Sequence, residues 1–339
     1  MSSPDPNLPP AFSLDDLRLH QVYVITPPRR RWWLHILLFV ATVFTTLVMG
    51  ARLEYNFLNQ LPPFRFDHDL FPVRWALSDP HNLLLGIPFS VTLLTILLAH
   101  EFGHFLYCLR YRVYATLPFF IPAPTLIGTF GAFIRIKSPI PTRRALFDIG
   151  IAGPIAGFVI AVPAAVLGLL LSKHAAGLVG ESDLQFGYPL IFHLLHAVLP
   201  WPVTGAMAAS LDDLYMHPIA LAAWVGMFAT ALNLLPGGQL DGGHIVYALA
   251  PEQHRRITRA LTLLLIPLAI LFWQGWFMWA LFLLIMGSRH PQVSLYPALD
   301  GKRQLLAAFA LLMLVLTLVP APFAGGSALD AWDAYTQQR

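Results

Sequence analysis

Apolar positions in this chain gather into long unbroken runs. They follow neither the 3.6-residue stripe of a surface helix nor the alternation of a half-buried strand. The clearest runs are 34–50 (LHILLFVATVFTTLVMG), 83–108, 147–172 (LFDIGIAGPIAGFVIAVPAAVLGLLL), 216–236 and 304–320. Each approaches the ~20 residues that cross a hydrocarbon core as a helix. A further apolar block over 257–288 is too long for one span. WQGW at 273–276 interrupts it, which predicts two helices joined by a tight turn. The pattern therefore predicts an all-α polytopic membrane protein with about six to seven transmembrane helices.

One apolar stretch reads differently. LPFFIPAPTLIGTFGAFIRIKSP, residues 117–139, holds four prolines and two glycines and is too broken for a spanning helix. Two β-rich runs, about 116–121 and 126–137, flank the PAPT turn. They predict a re-entrant β-hairpin dipping into the bilayer from the cytoplasmic side. Irregular backbone at that depth is tolerated only when buried in protein or lining a cavity.

Composition agrees with a membrane setting: 57% of residues are hydrophobic and 12% charged, against roughly 25% charged in soluble domains. The formal charge of +3 matters less than its distribution. Arg29–Arg31 precede the first run, and Arg110, Arg112, Arg135, Lys137, Arg143 and Arg144 lie between the second and third. Arg255, Arg256 and Arg259 follow the fourth, and Arg289, Lys302 and Arg303 precede the last. Such clusters mark cytoplasmic loops and fall here on alternate loops, giving an inside N-terminus. Each cluster is short and abuts a span, so no nucleic-acid partner is expected. The bilayer itself is the expected surroundings. Residues 1–33, with Asp5, Asp15, Asp16 and several prolines, resemble neither a signal nor a transit peptide and read as a cytoplasmic tail. Cys108 is the only cysteine, which excludes intramolecular disulfides and thiolate metal clusters.

Within the second run stands LLAHEFGHFLYC, residues 97–108, with three polar groups at membrane depth. Such groups are costly in hydrocarbon and are usually functional. HEFGH fits the pattern H-E-x-x-H. On a helix, His100 and His104 share a face and can reach one ion, while Glu101 lies one step around. That arrangement suits zinc hydrolysis, in which the ion acidifies a water and a carboxylate takes its proton. A catalytic zinc site usually takes three protein ligands. The segment NLLPGGQLDGGHI, 233–245, offers the third: Asp241 follows a Pro-Gly-Gly break at the expected cytoplasmic end of its run.

Together, HEFGH and the downstream N-x-x-P-x-x-x-L-D-G (Asn233, Pro236, Leu240, Asp241, Gly242) resemble the site-2 protease family of intramembrane zinc metalloproteases. The resemblance runs from about 85 to 260. It implies one Zn2+ held by His100, His104 and Asp241, with Glu101 as general base. It also implies Asn233 as a polar group near the scissile carbonyl. The implied partner is a transmembrane substrate protein, cut within or near its spanning segment. GTFGAF resembles the family's re-entrant element, whose strand edge could hold an unwound substrate by strand addition. Phe130 and Gly131 are the contacts expected there. His244, three residues past Asp241, is either a partner of the site or an interfacial histidine. His193 and His196 read as solvated surface histidines on the opposite side, and IAGPIAGF, 151–158, reads as a small-residue packing surface.

On this reading the chain divides into a tail (1–33), a first transmembrane helix with an extracytoplasmic loop (34–82), a catalytic core (83–260), and C-terminal transmembrane helices with a short tail (261–339). The expected location is a bacterial cytoplasmic membrane, with the active site towards the cytoplasm. Loop 173–215 is too short for the soluble recognition domain many relatives carry. A metal transporter would need further ionisable residues along several spans, and they are sparse here. A prenyl-protein hydrolase usually takes a glutamate as third ligand. An inactive scaffold would not need Glu101.

Overall fold

A computed structural model describes residues 31–199, 210–286, 293, 294 and 296–337. The chain separates into residues 1–32 and residues 33–339, and the second unit carries the fold described below. The tail expected over 1–33 lies almost wholly outside the described residues, as does Arg289.

The expected runs become helices: α1 (Trp32–Leu58), α2 (Ile87–Arg110), α3 (Arg143–Leu171), α4 (Pro218–Leu234), α5 (Asp241–Leu249), α6 (Pro251–Leu271), α7 (Gly275–Met286) and α8 (Gly301–Thr317). WQGW separates α6 from α7. Among the described residues, three helices are long and apolar enough to cross a membrane: α1, α2 and α3. Helix α4 and the apolar part of α7 are shorter. Helix α6 opens on Glu252, His254, Arg255, Arg256 and Arg259, so its first two turns are polar. The chain is thus mostly helical with three candidate spans, a coarser result than six to seven.

Helices α2, α3 and α4 pack against one another to form the core. Its apolar interior includes Phe89, Leu93, Ile96, Ala161, Leu169 and Ala222. Small residues set how close the helices come. A Cβ at Gly103 of α2 would lie 2.4 Å from the Ala152 carbonyl oxygen of α3, and one at Gly168 would lie 2.2 Å from the Ala220 nitrogen of α4. These approaches exclude any larger side chain. Pro154 and Pro163 lie inside α3, and each removes an N–H from the helical ladder.

The hairpin forms where expected, with short regular strands. β1 (Phe119–Pro122) pairs antiparallel with β2 (Thr129–Phe133), with Phe119 opposite Phe133 and an irregularity between Phe120 and Pro122. Backbone hydrogen bonds from Thr116 to Arg135 and from Lys137 to Tyr114 continue the ladder away from the turn. The hairpin lies along α1: His35 packs against Phe119 with tilted rings, Phe39 meets Phe120 edge-on, and Thr45 Oγ1 donates to the Gly128 carbonyl at 2.6 Å. At 1.5 Å per residue, His35 to Thr45 spans about 15 Å of helix, half a hydrocarbon core. Gly128 (φ 77°) makes the tip possible, because a Cβ there would sit 2.5 Å from the Thr45 carbonyl oxygen.

At the other end of the core, β3 (Lys173–His174) and β4 (Leu214–Tyr215) form a second two-stranded sheet. It caps the opposite ends of α3 and α4. His193 and His196 lie nearby on a short helix, Leu190–Val198, and His196 packs against His174.

Candidate metal centre

HEFGH lies in the second half of α2, and the 3.6-residue repeat sets His100 over His104 with ring centroids 5.0 Å apart. Both are buried, as is Glu101. The third group arrives from elsewhere in the chain. Helix α4 ends at Leu234, Pro236 prevents its continuation, and Gly238 (φ 58°) turns the backbone so that α5 starts on Asp241. The carboxylate thus sits in the first turn of a helix, where the backbone N–H groups favour negative charge.

Three atoms converge. Asp241 Oδ2 lies 3.2 Å from His100 Nε2 and 3.2 Å from His104 Nε2. The three donor atoms all lie within 4.8 Å of one another. Donors bonded tetrahedrally to zinc at 2.0–2.1 Å are about 3.3 Å apart, so the two measured separations fit one ion between them. Two nitrogens and one oxygen also suit zinc by ligand type. The resident orientation of His104 is fixed as well. Its Nδ1 donates to the Ile149 carbonyl of α3 at 2.7 Å, and a carbonyl can only accept, so the lone pair is on Nε2 and points inward. Pro154 removes the N–H that would bond the Gly150 carbonyl, one residue along α3 from Ile149.

Helix α3 forms the other wall. A Cβ at Gly153 would lie 2.1 Å from His104 Nε2, and one at Gly157 would lie 3.2 Å from His100 Cβ. The small-residue run expected to serve packing therefore also makes room for both imidazoles. Sequence reasoning identified the run but not that use, nor the Ile149 carbonyl.

The remaining expected residues are distributed around this centre. Asn233, in the last turn of α4, places Nδ2 3.5 Å from His100 Nε2. Glu101 interacts with the backbone of Ile134, the residue after β2, which joins the hairpin to the centre. Phe130 is 72% exposed on β2, and Gly131 (φ 100°) faces open space. The structure brings neither of them into the group of converging donor atoms. His244 packs its Cβ against Gly150 of α3, and it is not one of the three converging groups.

Two residues unforeseen in the sequence hold the loop before Asp241. His254 Nε2 donates to the Gly238 carbonyl at 3.0 Å, and the Gly238 N–H donates to Thr258 Oγ1 at 3.2 Å. Both side chains come from α6 and are buried.

Residues 88–273 match the family described as peptidase family M50. A probable chloroplastic zinc metalloprotease, EGY1 of Oryza sativa subsp. japonica, is 36% identical over 215 residues, 61% of this chain and 36% of that protein. EGY1 of Arabidopsis thaliana is 33% identical over 302 residues, 84% of this chain and 52% of that protein. EGY2 of Arabidopsis thaliana is 28% identical over 277 residues, 79% and 47% of the two chains. The chain spans about half or less of the length of these curated relatives. They overturn the expectation of a bacterial cytoplasmic membrane, because each is described as a chloroplastic protein of a plant.

Proposed function

The chain belongs to peptidase family M50, and on that premise we propose that it is an intramembrane zinc endopeptidase. In this reading it cuts peptide bonds within or near the transmembrane segment of a substrate protein, in a plastid membrane. The observation that carries the proposal is the convergence of His100 Nε2, His104 Nε2 and Asp241 Oδ2 beside a buried Glu101.

Those three side chains would hold the zinc. When bound, zinc supplies a Lewis acid that polarises the scissile carbonyl and acidifies the attacking water. Glu101 accepts the proton from that water and delivers it to the leaving amide nitrogen, the two halves of general acid–base catalysis. The amide of Asn233 donates toward the oxygen on which negative charge develops. His244, on the same helix as Asp241, supports the position of that helix against α3. Helix α2 ends at Arg110, less than two turns beyond His104, so water enters from the membrane boundary while the substrate enters from the lipid.

A helical substrate hides its peptide bonds, so it must unwind before attack. The outer edge of β2 offers backbone groups to an extended segment, and Ile134, the residue after that strand, lies beside Glu101. Phe130 supplies an apolar contact, and Gly131 leaves room for the incoming chain.

The decisive test uses purified wild type and Glu101→Gln with a panel of single-span substrates. The variant is expected to bind zinc as the wild type does and to lose at least about a hundredfold in cleavage rate, the usual scale of general base catalysis. Undiminished cleavage by the variant would overturn the mechanism.

A further inference from the structure

A second polar feature lies at the same end of the core. Arg303, in the first turn of α8, donates to both carboxylate oxygens of Asp148 on α3, at 2.8 Å through Nε and at 2.5 Å through Nη2. The same guanidinium reaches Asp300, the N-cap of α8, at 2.7 Å, and the Tyr111 hydroxyl, which itself donates to Asp148. This network joins α2, α3 and α8 and forms the floor of an open cleft of about 470 Å³.

The charges around the cleft do not cancel. Asp148 and Asp300 are both engaged by Arg303. Arg110, the last residue of α2, and Lys302, the second of α8, also line the cleft and are exposed. Neither has an ion-pair or hydrogen-bond partner among the described residues. Three cations and two carboxylates thus line one cavity and leave it a net charge of +1, with the two cations that lack partners among the described residues standing on separate helices. Below them the wall is apolar and open to the surroundings: Leu106 is 56% exposed, Tyr107 39% and Leu306 36%.

We propose that the cleft between the end of α2 and the start of α8 binds a phosphate group, carried by an anionic phospholipid whose acyl chains lie along Leu106 and Leu306. Lys and Arg are the side chains that hold phosphate, through charge-assisted hydrogen bonds. Basic pockets between helices at a membrane boundary take anionic headgroups. The inference uses the reading of α2 as a span, because that places Arg110 at headgroup level. Its consequence is a lipid clamped one and a half turns beyond His104, tying α8 to the helix that carries two metal ligands.

The test titrates the full-length protein in neutral detergent with phosphatidylglycerol, phosphatidylcholine or inorganic phosphate, reading the melting temperature. Phosphatidylglycerol is expected to raise it and phosphatidylcholine to leave it unchanged. Arg110→Gln/Lys302→Gln should weaken the phosphatidylglycerol response about tenfold or more in concentration, given the contribution of each basic residue at an anionic surface. A matching shift with inorganic phosphate would identify free phosphate as the ligand's source and keep the site. A double variant that responds as the wild type does, or a wild type indifferent to both phosphates, would overturn the proposal. Should the double variant not fold, Lys302→Gln alone must weaken the response about threefold, and an unchanged response has the same overturning force. Because the phosphate arm needs no substrate and no bilayer, its failure is distinct from failure of the protease reading.

Discussion

His104 is held from both sides by α3: its Nδ1 donates to the Ile149 carbonyl at 2.7 Å, while its Nε2 lies where a Gly153 Cβ would be, 2.1 Å away. One helix therefore selects the tautomer of the imidazole and leaves it the space to stand. The candidate metal ligands of α2 depend on a neighbour that offers none itself.

That dependence can be tested at Gly153. Substitution by Ala puts a methyl group on His104 Nε2 and forces the ring away. Bound zinc, measured by elemental analysis of purified protein, should fall at least about tenfold, the scale seen when groups supporting a metal ligand are lost. Circular dichroism should stay helical. Full zinc occupancy in this variant would show that His104 can coordinate from another position.

The loop clamp makes a different prediction. Thr258→Val removes the acceptor for the Gly238 N–H, and His254→Phe removes the donor to its carbonyl. Each leaves a backbone group at Gly238 unpaired at a cost of about 1–3 kcal/mol. Both variants should bind zinc more weakly by releasing Asp241, while Thr258→Ser, which keeps the hydroxyl, should retain wild-type affinity. Equal zinc affinity in Thr258→Val and wild type would remove the loop from the account.

Phe130 is the probe for the substrate edge. It is largely exposed, so Phe130→Ala should change stability by no more than about 0.5 kcal/mol. If the strand edge receives substrate, KM for a single-span substrate should rise several-fold with zinc content unchanged. Identical kinetics would confine the hairpin to a packing role.

At the far end of the core, acidity should act through His217. It caps α4, accepting from the Ile219 N–H through Nδ1. Burial, then the nearby Lys173 ammonium, pushes its pKa down to about 4. The Glu54 carboxylate, 3.7 Å from Nε2, opposes this but does not reverse it. Between the unfolded value near 6.5 and about 4, the unfolded chain binds more protons at this site than the folded one. The contribution of neutral His217 to stability is therefore complete above pH 6.5 and is lost as pH falls towards 4. The melting temperature should drop across that window, and His217→Gln should flatten the drop. An equal slope in the variant would assign the effect to other groups.

Much of the site was legible before any coordinates. HEFGH is a local signal, because four residues of helix bring His100 above His104 wherever that helix stands. Asp241 was legible for a related reason: the Pro-Gly-Gly break announces a helix end, and the run it ends could be matched in depth to α2. The hairpin showed itself through prolines and glycines that forbid a spanning helix, though only the ladder and the contacts with α1 set its strand limits. The number of spans was less legible, and the count of six to seven is shown only as far as three candidates. Apolar runs locate helices, but α4 and α7 proved shorter than the candidate spans and α6 begins on polar turns.

The sequence by itself determined which three side chains to look for as a candidate metal site, and that most of the chain is helix, because spacing along a helix and hydrophobic run length are local properties. Only the tertiary structure decided which imidazole nitrogen faces inward, that Gly153 and Gly157 clear room for the rings, and that His254 and Thr258 fix the loop before Asp241. It also decided that Arg303 pairs with Asp148 while Arg110 and Lys302 have no ion-pair partner among the described residues. These are contacts between segments far apart in the chain. They depend on how closely two helices approach, which no periodicity in either helix encodes.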